Sequence, residues 1–64
     1  MKVLLRNPRR EVEMAGPMRV ATLLDRLDLP RESHLVICDG TLVPGDAQLD
    51  DSATVEIRPV ISGG

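Results

Sequence analysis

The group in this sequence best suited to chemistry is not a side chain. The chain ends Val60-Ile61-Ser62-Gly63-Gly64, and its last two residues carry no side chain. Two consecutive glycines arise by chance at roughly 0.5% of positions, given a background glycine frequency of about 7%. Glycine removes the bulk of Cβ and admits any backbone angle, so a carboxylate on such an ending can enter a narrow channel of another protein. In extended form these residues reach roughly 17 Å beyond a folded body. An inert, frayed terminus is the other reading, since glycine is tolerated there as well.

The remaining candidates are weaker. Cys38 closes an apolar run, where a lone cysteine behaves as a small hydrophobe rather than a reactive thiol. His34 has no second histidine and no cysteine at ligand spacing, so it reads as surface and no metal site is expected. Asp46, Asp50 and Asp51 gather in one stretch but lack the glycine and glutamate register of a calcium loop. They read as turn formers, with partner docking as the alternative. Leu4 and Arg58 fall on the outward side of their strands, where an apolar residue beside a charged one suits an interface.

Composition narrows the class. A chain of 64 residues is a single domain near the lower limit for folding without staples, with no room for both a scaffold and a catalytic pocket. The apolar fraction of 42% contains no Phe, Trp or Tyr, so the core must be aliphatic and no aromatic platform for single-stranded nucleic acid can exist. A single cysteine allows no internal disulfide, and the apolar run in Met1-Lys2-Val3-Leu4-Leu5-Arg6 is too short for a signal peptide or membrane span. A cytoplasmic protein that binds neither membrane nor nucleic acid directly is therefore expected. Charge is uneven along the chain: residues 1–32 hold seven bases against five acids, and residues 33–64 hold Arg58 against five acids. Ordinary solvated surface accounts for that, and an acidic face docking a basic partner is the sharper alternative.

The elements that must carry the tail follow from periodicity. Residues 2–6 form a strand, Asn7-Pro8-Arg9-Arg10 a turn, and Glu11-Val12-Glu13-Met14 a second strand with Val12 and Met14 inward. Val20, Leu23, Leu24 and Leu27 fall at i, i+3, i+4 and i+7, which predicts one amphipathic helix. It lacks a polar N-cap, Pro17 is compatible with its first turn, and Leu29-Pro30 marks its end. Leu35-Val36-Ile37-Cys38 predicts a central strand buried on both faces. Asp39-Gly40 turns into a short strand at Thr41-Leu42-Val43, and Pro44-Gly45-Asp46 closes it. Residues 48–53 read as a polar connection anchored by Leu49. Thr54 to Pro59 is the last strand, with Val55 and Ile57 on one side and Thr54, Glu56 and Arg58 on the other. The economical solution is an α+β, β-grasp domain over residues 1–59, with one helix packed across a mixed sheet of four to five strands. A right-handed crossover would set a later strand parallel to the first, in the sheet's centre. Residues 60–64 remain as a flexible tail.

With these pieces in order, the sequence resembles the ThiS/MoaD-like group of ubiquitin-fold sulfur carriers. These include the sulfur carriers of thiazole synthesis, the small subunit of molybdopterin synthase, and carriers for tRNA thiolation. The likeness runs through Val20 to Leu27, Leu29-Pro30, Asp39-Gly40, Leu42-Val43-Pro44, Thr54 to Ile57 and the diglycine ending. Members often have Gly-Asp before the last strand, where this chain has Ser52-Ala53. The Ile61-Ser62-Gly63-Gly64 ending is more similar to the molybdopterin and tRNA branches than to the thiazole branch, whose members more often end in three glycines.

The resemblance implies a carrier and not an enzyme. An E1-like adenylating enzyme would use ATP to activate the Gly64 carboxylate. A cysteine desulfurase or rhodanese would supply sulfur to form a thiocarboxylate, and a sulfur-accepting synthase of thiamin, molybdopterin or tRNA thiolation would receive it. Gly64 is then the reacting group and Gly63 its slender lead-in, with Val60, Ile61, Ser62, Arg58 and Leu4 as partner contacts. No cofactor is bound by the chain itself; its cargo is the covalent sulfur. Two other readings use the same residues: a ubiquitin-like modifier joined through Gly64 to target lysines, and a plain interaction domain with an incidental tail.

Overall fold

A computed structural model of the protein describes residues 1–6 and 9–60. Its strands are β1 (Lys2–Leu5), β2 (Arg10–Glu13), β3 (Met18–Arg19), β4 (His34–Cys38), β5 (Thr41–Val43), β6 (Gln48–Leu49) and β7 (Thr54–Pro59), with one helix, α1 (Val20–Arg26), and a 3-10 turn at Arg31–Ser33. β1 and β2 form the expected hairpin, in which Val3 stands opposite Val12. Asn7 and Pro8 of its turn lie outside the described residues. The five-stranded sheet has the order β2-β1-β7-β4-β5. β7 is parallel to β1, with Val3 beside Val55 and Leu5 beside Ile57, and antiparallel to β4. This is the mixed sheet with one helix across it that defines the β-grasp.

The core is aliphatic, as the composition requires. Val3, Val20, Leu23, Leu24, Leu49, Val55 and Ile57 are its largest fully buried side chains. Val12, Met14, Leu27 and Cys38 pack against it from the margin. The period-2 signal of β7 and the helical stripe of α1 thus meet as two layers.

β7, rather than β4, is the central strand. Val36 is buried in β4, but Leu35 is 45% exposed. Side chains alternate across a strand, and α1 lies over one face of the sheet, so alternate residues of β4 face outward however apolar they are. Asp39 and Gly40 both have positive φ, 49° and 86°, and make the tight turn into β5.

The ends of α1 differ from the sequence expectation, and the differences have local causes. Pro17 precedes β3 and is not in the helix. The missing side-chain cap is replaced by backbone: the Val20 amide donates to the Ala47 carbonyl at 3.0 Å and the Ala21 amide to the Gly45 carbonyl at 2.9 Å. At the other end Asp28 takes the left-handed conformation, φ 58°. The Leu29 amide donates to the Leu24 carbonyl at 2.9 Å and the Asp28 amide to the Asp25 carbonyl at 3.1 Å. That is a Schellman closure, which stops the helix before Pro30 is reached.

The stretch read as a polar connection contains a strand. β6 pairs antiparallel with β3, setting Leu49 beside Met18. Leu49 is completely buried. The Ser52-Ala53 departure is accommodated: the Ala53 amide closes a turn on the Asp50 carbonyl at 3.1 Å, and Ala53 is itself buried. Close by, the Asp51 carboxylate accepts from the Gly16 amide at 2.7 Å and lies 3.7 Å from the Met1 ammonium. A Cβ on Gly16 would stand 3.1 Å from Asp51 Cα, tighter than an ordinary contact, so a side chain here would push on the Asp51 backbone.

Two substitutions test this arrangement by urea unfolding followed in far-UV circular dichroism, the aromatic-free chain offering no fluorescence signal. Leu49→Ala, although in a connection, is expected to cost about 2–5 kcal/mol, as for a core leucine. Asp28→Gly relieves the left-handed strain and is expected to stabilise by about 0.5–1 kcal/mol.

Candidate functional site: the open sheet face and the foot of the tail

β7 runs through the centre of the sheet and delivers the chain to one end of the molecule. There Pro59 pairs with His34. The Val60 amide donates to the Ser33 carbonyl at 2.8 Å, continuing the pairing one step past the strand. Val60, counted in the flexible tail from sequence, is thus tied to the body by its backbone while its side chain is 42% exposed. Ile61, Ser62, Gly63 and Gly64 lie outside the described residues.

The 3-10 turn at Arg31–Ser33 presents the carbonyl that holds Val60, and His34 braces it. His34 Nδ1 lies 2.9 Å from the Pro30 carbonyl oxygen and 3.2 Å from Ser33 Oγ. A carbonyl can only accept, so Nδ1 is the donor to Pro30. His34 is accordingly half-buried in a strand, not the plain surface residue read from its neighbours.

The sheet face away from α1 is uncovered among the described residues. Register sets Leu4 beside Glu56, Glu56 beside Ile37, Leu35 beside Arg58 and Ile37 beside Leu42. Leu4 and Arg58 share this face, as expected. They are joined by Leu42, 60% exposed, and Leu35. Glu56 organises the charges: one carboxylate oxygen accepts from Arg58 Nε at 2.6 Å and from Arg6 Nε at 3.1 Å. The Arg58 hydrogen bond, more than its charge, holds the Glu56 carboxyl below its ordinary value, and Arg6 adds to this. Solvent-exposed ion pairs contribute little to stability. The physical effect here is to fix two guanidinium groups on the outward face. Sequence reading missed Glu56, Leu35, Ile37 and Leu42. The alternation of apolar residues around Val36 carried the signal, but it was masked by an unbroken apolar run.

The other candidates have structural occupations. Burial, followed by the charge of Asp39, pushes the Cys38 thiol above its ordinary value, so its side chain serves as packing. Asp51 is held below its ordinary value chiefly by the Gly16 amide, with help from the N-terminal ammonium. Asp39 accepts from the Thr54 amide at 3.1 Å. Among the described residues no three His, Cys, Asp or Glu side chains come together as a metal site, and no helix is long and apolar enough to cross a membrane. Of the cluster read as turn formers with docking as the alternative, Asp50 and Asp51 lie in the turn leading into β7, at the opposite end from Val60, and Asp46 lies in the separate turn closed by the Ala47 amide on the Pro44 carbonyl.

A model of the ThiS family matches residues 3–64, which takes in the whole sheet, α1 and the diglycine ending. The chain belongs to the ThiS family. ThiS-family members are small carrier proteins rather than enzymes, and membership supports a sulfur-carrier role with E1-like enzymes and sulfur-transfer proteins as its general class of partner.

Both depressed carboxyls make stability depend on pH with a definite sign. A carboxyl whose folded pKa lies below its unfolded value stabilises the fold above the unfolded pKa and loses that contribution as pH falls toward the folded one. Stability is therefore expected to decline on acidification through the carboxylate range. Asp51→Asn and Glu56→Gln should each flatten that decline, measured as urea midpoints against pH.

Proposed function

We propose that this protein carries sulfur on its C-terminal glycine. The observation that carries the reading is the family match extending through Gly63 and Gly64. The exit of the chain from a central strand, past a backbone clamp at Val60, supports it.

The chemistry follows from the poor electrophilicity of a carboxylate. An E1-like enzyme joins a Gly64 carboxylate oxygen to the α-phosphorus of ATP and releases pyrophosphate. The acyl-adenylate then has AMP as leaving group. The outer sulfur of a persulfide, on a cysteine desulfurase or rhodanese, attacks the Gly64 carbonyl carbon and expels AMP, giving an acyl disulfide. A second thiol attacks the donor's sulfur, so the donor leaves in a disulfide and Gly64 keeps a thiocarboxylate. That sulfur is a strong nucleophile for an acceptor bound by a partner synthase. The chain contributes a slender lead-in at Gly63, where a side chain would block a narrow channel. Val60, Ile61 and Ser62 line that channel, and Leu4, Leu35, Leu42 and Arg58 hold the body against the partner. ATP belongs to the activating enzyme, the chain binds no cofactor, and the setting is cytoplasmic.

Intact mass spectrometry of protein from its native cells tests this. The expected result is a fraction heavier by the exchange of one oxygen for sulfur, lost on deletion of Gly63 and Gly64. Free carboxylate alone, in sulfur-replete cells containing the activating enzyme, overturns the proposal. Attachment through Gly64 to larger proteins would replace it with a modifier role.

A further inference from the structure

Beside the clamp at Val60 the end of the molecule is not flat. Leu5, Leu27, Leu29, Ile57 and Pro59 floor a notch of about 340 Å³, and Arg6, Arg10 and Arg26 stand at it together with His34. The three arginines come from β1's end, from β2 and from the last turn of α1. They are separated in sequence and gathered by the fold. No carboxylate lines the notch. Arg6 is engaged by Glu56, whereas among the described residues neither Arg10 nor Arg26 has a carboxylate oxygen within 4 Å. The volume is at the low end of what small-molecule sites occupy, roughly 300–1,000 Å³, and suits one or two inserted side chains.

Three features identify the occupant. The charged side chains at the rim are all guanidinium groups, so the complement is anionic. Guanidinium groups pair with carboxylates in a bidentate fork, which favours Asp or Glu. The floor is aliphatic, so an apolar side chain must accompany the acid. Pro59 belongs to the notch and Val60 follows it, so the notch adjoins the point where the tail leaves the body.

We propose that the Arg6–Arg10–Arg26 notch is a docking site for an acidic loop of the activating enzyme, one that seats an apolar side chain on Leu5, Leu29 and Ile57 and sets its carboxylates on Arg10 and Arg26. The proposal rests on the reading of Gly64 as the adenylated group. Such contacts steer encounter and fix orientation, and they leave the chemistry at Gly64 untouched.

The test uses the full chain and the E1-like adenylating enzyme of the same cell. Two quantities are measured: the dissociation constant by calorimetry, and ATP–pyrophosphate exchange as a function of carrier concentration. Arg10→Glu with Arg26→Glu is expected to raise both the dissociation constant and KM roughly tenfold or more, with kcat unchanged and a weaker dependence on salt. Arg10→Lys with Arg26→Lys should recover most of the affinity. Arg19→Glu alters net charge as much as Arg26→Glu does but lies at the other end of α1, and should have little effect. Circular dichroism establishes that each variant is folded. Unchanged affinity in the double reversal overturns the proposal, as does an equal effect from Arg19→Glu or failure of the wild-type chain to bind the enzyme. Binding that weakens in the double reversal without any exchange by the wild-type chain sustains the notch and removes the adenylation reading instead.

Discussion

The parallel pairing of β1 with β7 is the constraint on which the rest of this molecule depends. It joins the two ends of the sequence, Lys2 beside Thr54 and Leu5 beside Ile57. It makes the last strand the middle of the sheet. Parallel neighbours need a crossover between them, and here the entire intervening chain, α1 and β3 to β6 included, serves as that connection. Because β7 has partners on both sides, its buried residues Val55 and Ile57 are completed by β1, β4 and α1 together. The direction in which the chain leaves the body is thereby set by the most securely held strand.

That geometry also sorts the charges. Asp39 and Asp51 bind backbone amides at the beginning of β7, where they close the turn into β5 and hold the Ala15–Gly16 segment. Arg6, Arg10 and Arg26 meet at its other end, beside Pro59. The outward face of the sheet lies between them, with Glu56 holding Arg6 and Arg58 amid leucines. The arginine notch and the half-apolar face both adjoin the place where the chain departs.

How far the sequence could be read depended on whether a signal was local. The strand over Thr54–Pro59 and the apolar stripe of α1 were legible because side-chain period is a property of the backbone itself. The Asp39-Gly40 turn was legible because few residues accept positive φ. The helix termini were not, since carbonyls from the β5–β6 connection cap its start and a left-handed Asp28 ends it. Leu49 looked like an isolated anchor because two-residue strands such as β3 and β6 exist through their pairing. Leu35 misled for the opposite reason, as an unbroken apolar run conceals which of its residues face outward.

The sequence by itself determined that the protein is one small aliphatic β-grasp domain and that its reactive candidate is the diglycine end, since both follow from composition and short-range spacing. Tertiary structure alone decided which strand is central, that Val60 is clamped by Ser33, that Glu56 gathers two arginines, and that Arg6, Arg10 and Arg26 share one notch. Those are contacts between residues far apart in the chain, and no local pattern encodes them.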